Sequence, residues 1–215
     1  MSIRVARKRP DAYQHGDLRR ALVQAGLKLL GERGVAGLSL RAAAELAGVS
    51  HAAPYRHFRD KGALVAAIAE EGFTLLTRSM RDEIEAAGSG DVLAKLGAAG
   101  RGYVSFALRH PGYFRTIFGE KLWPDVSDAD PGRISLRAAG EEAYGVLRGL
   151  VESGVREGQL RRGDIDQISL AAWSLVHGLS LLIIDGQLAG LAETDAAVRG
   201  LTDGLLAMLE RGVAT

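Results

Sequence analysis

The sequence predicts an all-α protein of about nine helices, and three observations carry that expectation. Apolar residues recur at helical spacing in one segment after another, and no stretch alternates apolar and polar residues as a half-buried strand does. Alanine and leucine are abundant while proline occurs only 5 times. Ser, Asp or Pro stand where several of the periodic segments begin, and Gly stands where several end. The 215 residues suffice for a sizeable core in one large or two small domains. At 47% apolar and 25% charged, the composition is that of a globular chain. The 28 glycines exceed what helices favour. Gly26, Gly97, Gly100 and Gly178 fall inside periodic segments and mark close helix contacts or local softness.

Residues 1 to 13 carry Arg4, Arg7, Lys8 and Arg9. They form a basic arm, either a solvated tail or a contact to phosphates or a minor groove. A first helix runs from about Gly16 to Arg33, with Leu18, Leu22, Ala25, Leu29 and Leu30 on one face and Gly34 closing it. From Leu38 a short helix follows, with Ala42, Ala43, Leu46 and Ala47 on the core side. Gly48 ends it, because glycine adopts positive φ without penalty. Ser50 is placed to cap a second short helix, His51 to His57, and Phe58 points back inward. Pro54 sits early in that helix, where a missing N–H costs little. Two short helices across a glycine turn, the second bearing polar, aromatic and basic side chains, make a helix-turn-helix. One helix braces against the DNA backbone and the other enters the major groove.

A long amphipathic helix occupies residues 61 to 87, with Leu64, Ile68, Phe73, Leu76, Met80 and Ile84 on one side. Asp91 caps the next helix, which reaches about Arg109 and is broken by His110-Pro111-Gly112. Tyr113, Phe114, Ile117 and Phe118 form a short aromatic helix. Gly119 to Asp130, with Trp123 and Pro124, reads as a loop. Pro131 opens a helix to about Glu157 that carries Tyr144 and Leu147. Asp164 caps a helix from Ile165 to about Gln187 that is apolar nearly all round and is therefore expected to be buried on all sides. The last helix spans about Thr194 to Arg211, with Val198, Leu201, Leu205, Met208 and Leu209 on one face.

These last two helices suit a four-helix bundle built by two copies of the chain. Ala171, Ser174 and Gly178 let backbones approach closely, and Leu181, Leu201 and Leu205 fill the seam. A homodimer is the expected assembly. No unbroken apolar run reaches the roughly 18 residues that span a bilayer, so no membrane partner is expected. No signal peptide is visible and cysteine is absent, which fits a cytoplasmic protein.

Net charge is only +1, but it is unevenly distributed. Residues 1–62 hold 12 Lys and Arg against 5 Asp and Glu; residues 63–215 hold 15 against 21. A basic first domain beside an acidic second one is the footprint of nucleic-acid contact at one end. The expected division is thus 1–62 for DNA and 63–215 for effector binding and dimerisation.

The run GVSHAAPYRHFRDKGALVAAIAEEGF resembles the DNA-binding signature of the tetracycline-repressor (TetR) family. It has the Tyr-x-His-Phe element, a Lys three residues after the Phe, and an apolar helix directly behind. The likeness extends back to His15 and covers about the first third of the chain; Pro54 stands where the family often has leucine. The resemblance implies that Tyr55 and His57 touch the DNA backbone and that Lys61 contacts a phosphate. From their positions, Arg41 reaches a guanine or a phosphate, and Ser50, His51, Ala52, Ala53 and Arg56 belong to the reading element, the alanines offering methyl contact to thymine. Trp173, His177 and Gly178 resemble the C-terminal domain of a TetR subgroup named for its Trp-His-Gly motif.

Tyr103, Phe106, Tyr113, Phe114, Phe118, Trp123, Trp173 and His177 are either core or the lining of an apolar pocket with a few polar groups that orient a ligand. No HExxH, CxxC, phosphate-binding glycine loop or GxSxG is present. No metal site, cofactor or catalytic activity is therefore expected. The function expected is a dimeric regulator, most simply a repressor, that binds a near-palindromic double-stranded DNA operator and is released by a small, mainly apolar effector. The alternative is a non-regulatory helical ligand-binding or scaffolding protein, against which the basic first third counts.

Overall fold

The computed structural model describes residues 15–88, 90–119 and 131–213. Among them are eight α-helices, one 3-10 turn and no β-strand. The basic arm, Trp123 and most of the stretch around it lie outside the described residues. The chain divides into two compact units, 1–65 and 66–215.

In the first unit α1 (His15–Gly37) buries Leu22, Val23, Ala25 and Leu29. Gly34 breaks its helical path at φ 63°, where the sequence placed the helix end. Next, α2 (Leu40–Leu46) starts at Ser39, whose Oγ accepts the Ala42 N–H at 3.0 Å. This cap sets a different inner face from the one expected. Leu40, Ala43 and Ala44 are buried, while Leu46 is 43% exposed. The end of α2 follows the glycine rule: Gly48 has φ 69°, its N–H bonds the Glu45 carbonyl, and the Val49 N–H reaches back to the Ala44 carbonyl at 3.0 Å. Leu38, Phe58 and Leu64 complete this small core. The long α3 (Lys61–Ala86) begins at Asp60, whose Oδ1 accepts the Ala63 N–H at 2.8 Å. That bond first, and Arg59 second, hold the Asp60 carboxyl below its usual range.

The second unit is built on α4 (Val92–Arg109), which packs against α5 (Pro111–Phe118), α6 (Pro131–Arg156), α7 (Ile165–Ile184) and α8 (Asp195–Val213). Two glycines let neighbours come close. A Cβ on Gly102 would lie 2.5 Å from the Ser79 carbonyl oxygen, and one on Gly100 would lie 2.8 Å from Leu206. Asp91 and Asp164 cap α4 and α7 as expected, accepting from Ala94 at 2.9 Å and from Asp166 at 2.9 Å. Thr194 caps α8 through the Ala197 N–H.

Two expectations for the last helices need correction. Within one chain α7 is not buried on all sides: Ser169, Ala172, Val176, Leu179 and Ser180 point inward, but Leu170 is 53% exposed and Leu182 46%. By length and composition α7 is also apolar enough to cross a membrane, with mean hydropathy 1.7. Gln167, Ser169, Ser174, His177 and Ser180 interrupt its apolar run, so no unbroken stretch of that length marks it in the sequence. On α8 the buried pair is Thr202 and Leu206, one step round the helix from the expected face.

Candidate functional site

The stretch after α2 is not the α-helix expected for His51–His57. The Ala53 N–H bonds the Ser50 carbonyl at 2.9 Å, and Pro54–Arg56 then forms a 3-10 turn closed by the His57 N–H on the Pro54 carbonyl. Pro54 is the physical reason. It has no N–H to continue an α-helical ladder, and it occupies the first position of the turn with its ring buried. Ser50 supplies a backbone acceptor here, while the residue at the cap position of the turn is Ala53, with no side-chain bond. Arg41, Ser50, His51, Ala52, Tyr55 and Arg56 are all exposed, Tyr55 at 61%; Ala53 and His57 are half-buried. Phe58 anchors the segment at 3% exposure beneath the Arg19 guanidinium, which lies 5.7 Å from its ring centre. Lys61, expected at a phosphate, donates from Nζ to the Val35 carbonyl, so part of its donor capacity ties α3 to the end of α1. That long-range contact leaves no mark in the local pattern.

The second unit contains a cavity of about 540 Å³. One wall is α3, through Phe73, Leu76 and Met80. Tyr103 of α4, Phe118 of α5 and Trp173 of α7 form the far side. The remaining wall is α6, where Ala143, Tyr144 and Leu147 continue the apolar surface past Gly140. Arg137 and Glu141 are the charged residues on the lining; they pair at 2.9 Å and both are exposed. The sequence therefore found three of the lining residues. Of its other aromatic candidates, Phe106, Tyr113 and Phe114 are buried in the core and do not line the cavity. His177 stands behind the wall, stacked on Phe114 with ring centres 5.2 Å apart. In sequence the α3 and α6 lining residues look like ordinary core faces. The available signal was Gly140, a missing side chain in the middle of the α6 stripe.

From the lining inward runs a hydrogen-bond chain of Trp173, Tyr103 and His177. Trp173 Nε1–H donates to Tyr103 Oη at 3.1 Å, and Tyr103 Oη lies 2.8 Å from His177 Nδ1. The tyrosine oxygen accepts the indole proton, and the direction of its bond with His177 follows the histidine tautomer. Burial raises the Tyr103 phenol well above its ordinary range and lowers His177. A smaller hollow of about 250 Å³ lies against α4 and α8; there Arg101 is engaged by Glu83 at 3.8 Å and Asp203 at 3.2 Å. No group of three or more His, Asp or Glu side chains able to hold a metal occurs among the described residues.

The first unit thus exposes Arg41, His51, Tyr55 and Arg56, and the second unit encloses an open-sided, mainly apolar cavity. Residues 22–68 match the family described as bacterial regulatory proteins, tetR family, and residues 96–205 match the tetracyclin repressor-like C-terminal domain. The chain belongs to the TetR family of transcriptional regulators, whose members are DNA-binding proteins and not enzymes. The alternative of a non-regulatory scaffolding protein falls with that membership. A protein of unknown function from Rhodococcus sp. RHA1 is 35% identical, with a TM-score of 0.79 over 95% of this chain and 100% of that one. The fold is also that of FadR from Bacillus subtilis, solved in complex with stearoyl-CoA (15% identity, TM-score 0.72, 90% of this chain and 98% of that one). The ketosteroid transcriptional regulator KstR2 of Mycobacterium tuberculosis shares it too (17% identity, TM-score 0.66, 95% and 98%).

Proposed function

We propose that this regulator is a cytoplasmic repressor that binds a near-palindromic operator as a homodimer and leaves it when a small, mainly apolar effector fills the cavity. One observation carries the reading: α3 lines the cavity with Phe73, Leu76 and Met80, and the first turn of the same helix, through Val65, belongs to the helix-turn-helix unit. A ligand that shifts α3 acts on the DNA-reading unit through a continuous helix. Release requires that the ligand bind the DNA-free conformation more tightly than the DNA-bound one. His51, Ala52 and Ala53 read bases, Arg41, Tyr55, Arg56 and His57 meet the backbone or base edges, and Lys61 adds a phosphate contact with the donors that Val35 leaves free. Ala171, Ser174, Gly178 and Leu181 of α7, with Leu201 and Leu205 of α8, form the dimer seam; the exposure of Leu170, Leu181 and Leu182 supports this. Trp173, His177 and Gly178, on one helix, support assigning the chain to the Trp-His-Gly subgroup. The apolar character proposed for the effector has a parallel in the acyl chain of the stearoyl-CoA with which B. subtilis FadR was solved. The test is to select bound duplexes from a random pool and titrate the selected complex with apolar compounds. A palindromic consensus and loss of the complex at saturating compound are expected; non-palindromic binding by a monomer would overturn the reading.

A further inference from the structure

The polar groups near the cavity are unequally committed. Trp173 Nε1–H is spent on Tyr103, and the Tyr103 hydroxyl is also engaged with His177. A ligand atom that needed a hydrogen bond on that side would have to break this buried chain, which is costly. Phe73, Leu76, Met80, Phe118, Ala143 and Leu147 make most of the remaining wall apolar, and Tyr144 adds one phenol ring. At Arg137 the balance is reversed. Its Nε–H donates to Glu141 Oε1 at 2.9 Å in an exposed pair, and among the described residues its two terminal amino groups make no further hydrogen bond. That free edge matches the two oxygens of a carboxylate.

Gly140 gives the cavity its width. It sits inside α6, where glycine costs about 1 kcal/mol relative to alanine. No close packing demands it: a Cβ there would meet the Phe73 ring at 3.4 Å, an ordinary contact, unlike Gly100 or Gly102. Its place on the lining, one turn from Arg137 and Tyr144, identifies what the missing side chain leaves room for.

We propose that the effector is an amphiphilic monocarboxylate, its hydrocarbon body lying along Gly140 inside the cavity and its carboxylate bound to the free edge of Arg137. This rests on the reading of the cavity as the effector site. It assigns the inner chain of Trp173, Tyr103 and His177 a selective role: it disfavours bodies that place a polar group against Trp173 and Tyr103. Arg137 and Gly140 become the specificity-determining residues.

Isothermal titration calorimetry with dodecanoate, dodecanol and dodecylammonium tests this on the full-length protein. Dodecanoate should bind about five-fold more tightly than dodecanol, as an exposed ion pair allows, and the margin should shrink with added salt. Arg137→Gln should erase that margin by weakening dodecanoate far more than dodecanol, whereas Arg137→Lys should restore part of it. Gly140→Leu should weaken both compounds at least ten-fold, and circular dichroism on the same sample reports whether it is folded. Equal affinities for dodecanoate and dodecanol, both lost in Gly140→Leu, would overturn the carboxylate assignment and leave the cavity reading intact. Tighter binding of dodecylammonium would do the same. Binding unaffected in folded Gly140→Leu would overturn the cavity reading itself, and no binding of any of the three would overturn the proposed ligand class.

Discussion

The two units of this regulator put their chemistry in opposite places. In the first unit the side chains assigned to DNA stand outside a small, filled core; Tyr55 is 61% exposed while Phe58, three residues on, is 3% exposed. The second unit carries its aromatic chemistry inside, around about 540 Å³ of unfilled space, and leaves apolar side chains of α7 on the surface. The contrast teaches where function and stability are separable. On an exposed reading element a side chain can change without disturbing the core. Around the cavity the same residues shape the site and hold the fold.

That contrast can be broken by substitution, beginning with the largest effect. Phe114 is fully buried between Tyr103, Phe118 and His177, so Phe114→Ala should destabilise the second unit by about 3–5 kcal/mol. Urea unfolding would measure it; a cost near zero would mean that this side of the cavity is not packed core. Leu181→Glu places a charge on the exposed apolar face of α7. Light scattering should then give the mass of one chain, and an intact dimer would remove Leu181 from the seam. The protonation of His177 offers a subtler comparison. Burial lowers its folded value below the ordinary 6.5, so the unfolded chain takes up the proton first. Stability present above about pH 6.5 should therefore decline as pH falls toward the depressed folded value, and His177→Gln should flatten that decline in melting temperature. An unchanged profile would show that another group is responsible. The smallest stability effect is expected at Tyr55→Ala, within about 0.5 kcal/mol, accompanied by clearly weaker operator binding. A large loss of stability there would erase the distinction between the two units.

How much of this was legible in the sequence follows from how local each signal is. Helix ends were, because the bonds that make them span a few residues: Asp91, Asp164 and Gly48 act as their positions suggest. The helix-turn-helix was legible as a motif, yet its second element is a turn and a 3-10 segment, since Pro54 removes the backbone donor an α-helix would use. Tyr103, Phe118 and Trp173 were identifiable as large apolar rings, but their division from Phe106, Tyr113 and Phe114 was not. Which ring faces a void depends on how five helices meet. The bond from Lys61 to Val35 and the pairing of Trp173 with Tyr103 cross 26 and 70 residues, beyond any periodicity. For α7, the sequence correctly marked an unusually apolar helix, but burial on all sides needs a surface that one chain does not supply.

Occupancy of the cavity in the second unit is proposed to govern DNA release by the first. Fluorescence anisotropy of a labelled, selected operator measures this directly, with wild type and Gly140→Leu each set at a concentration where the duplex is bound. Adding a compound that fills the cavity should release the duplex from the wild type and leave the Gly140→Leu complex in place until at least ten-fold more compound is present. Release of both complexes at the same concentration would contradict the claim.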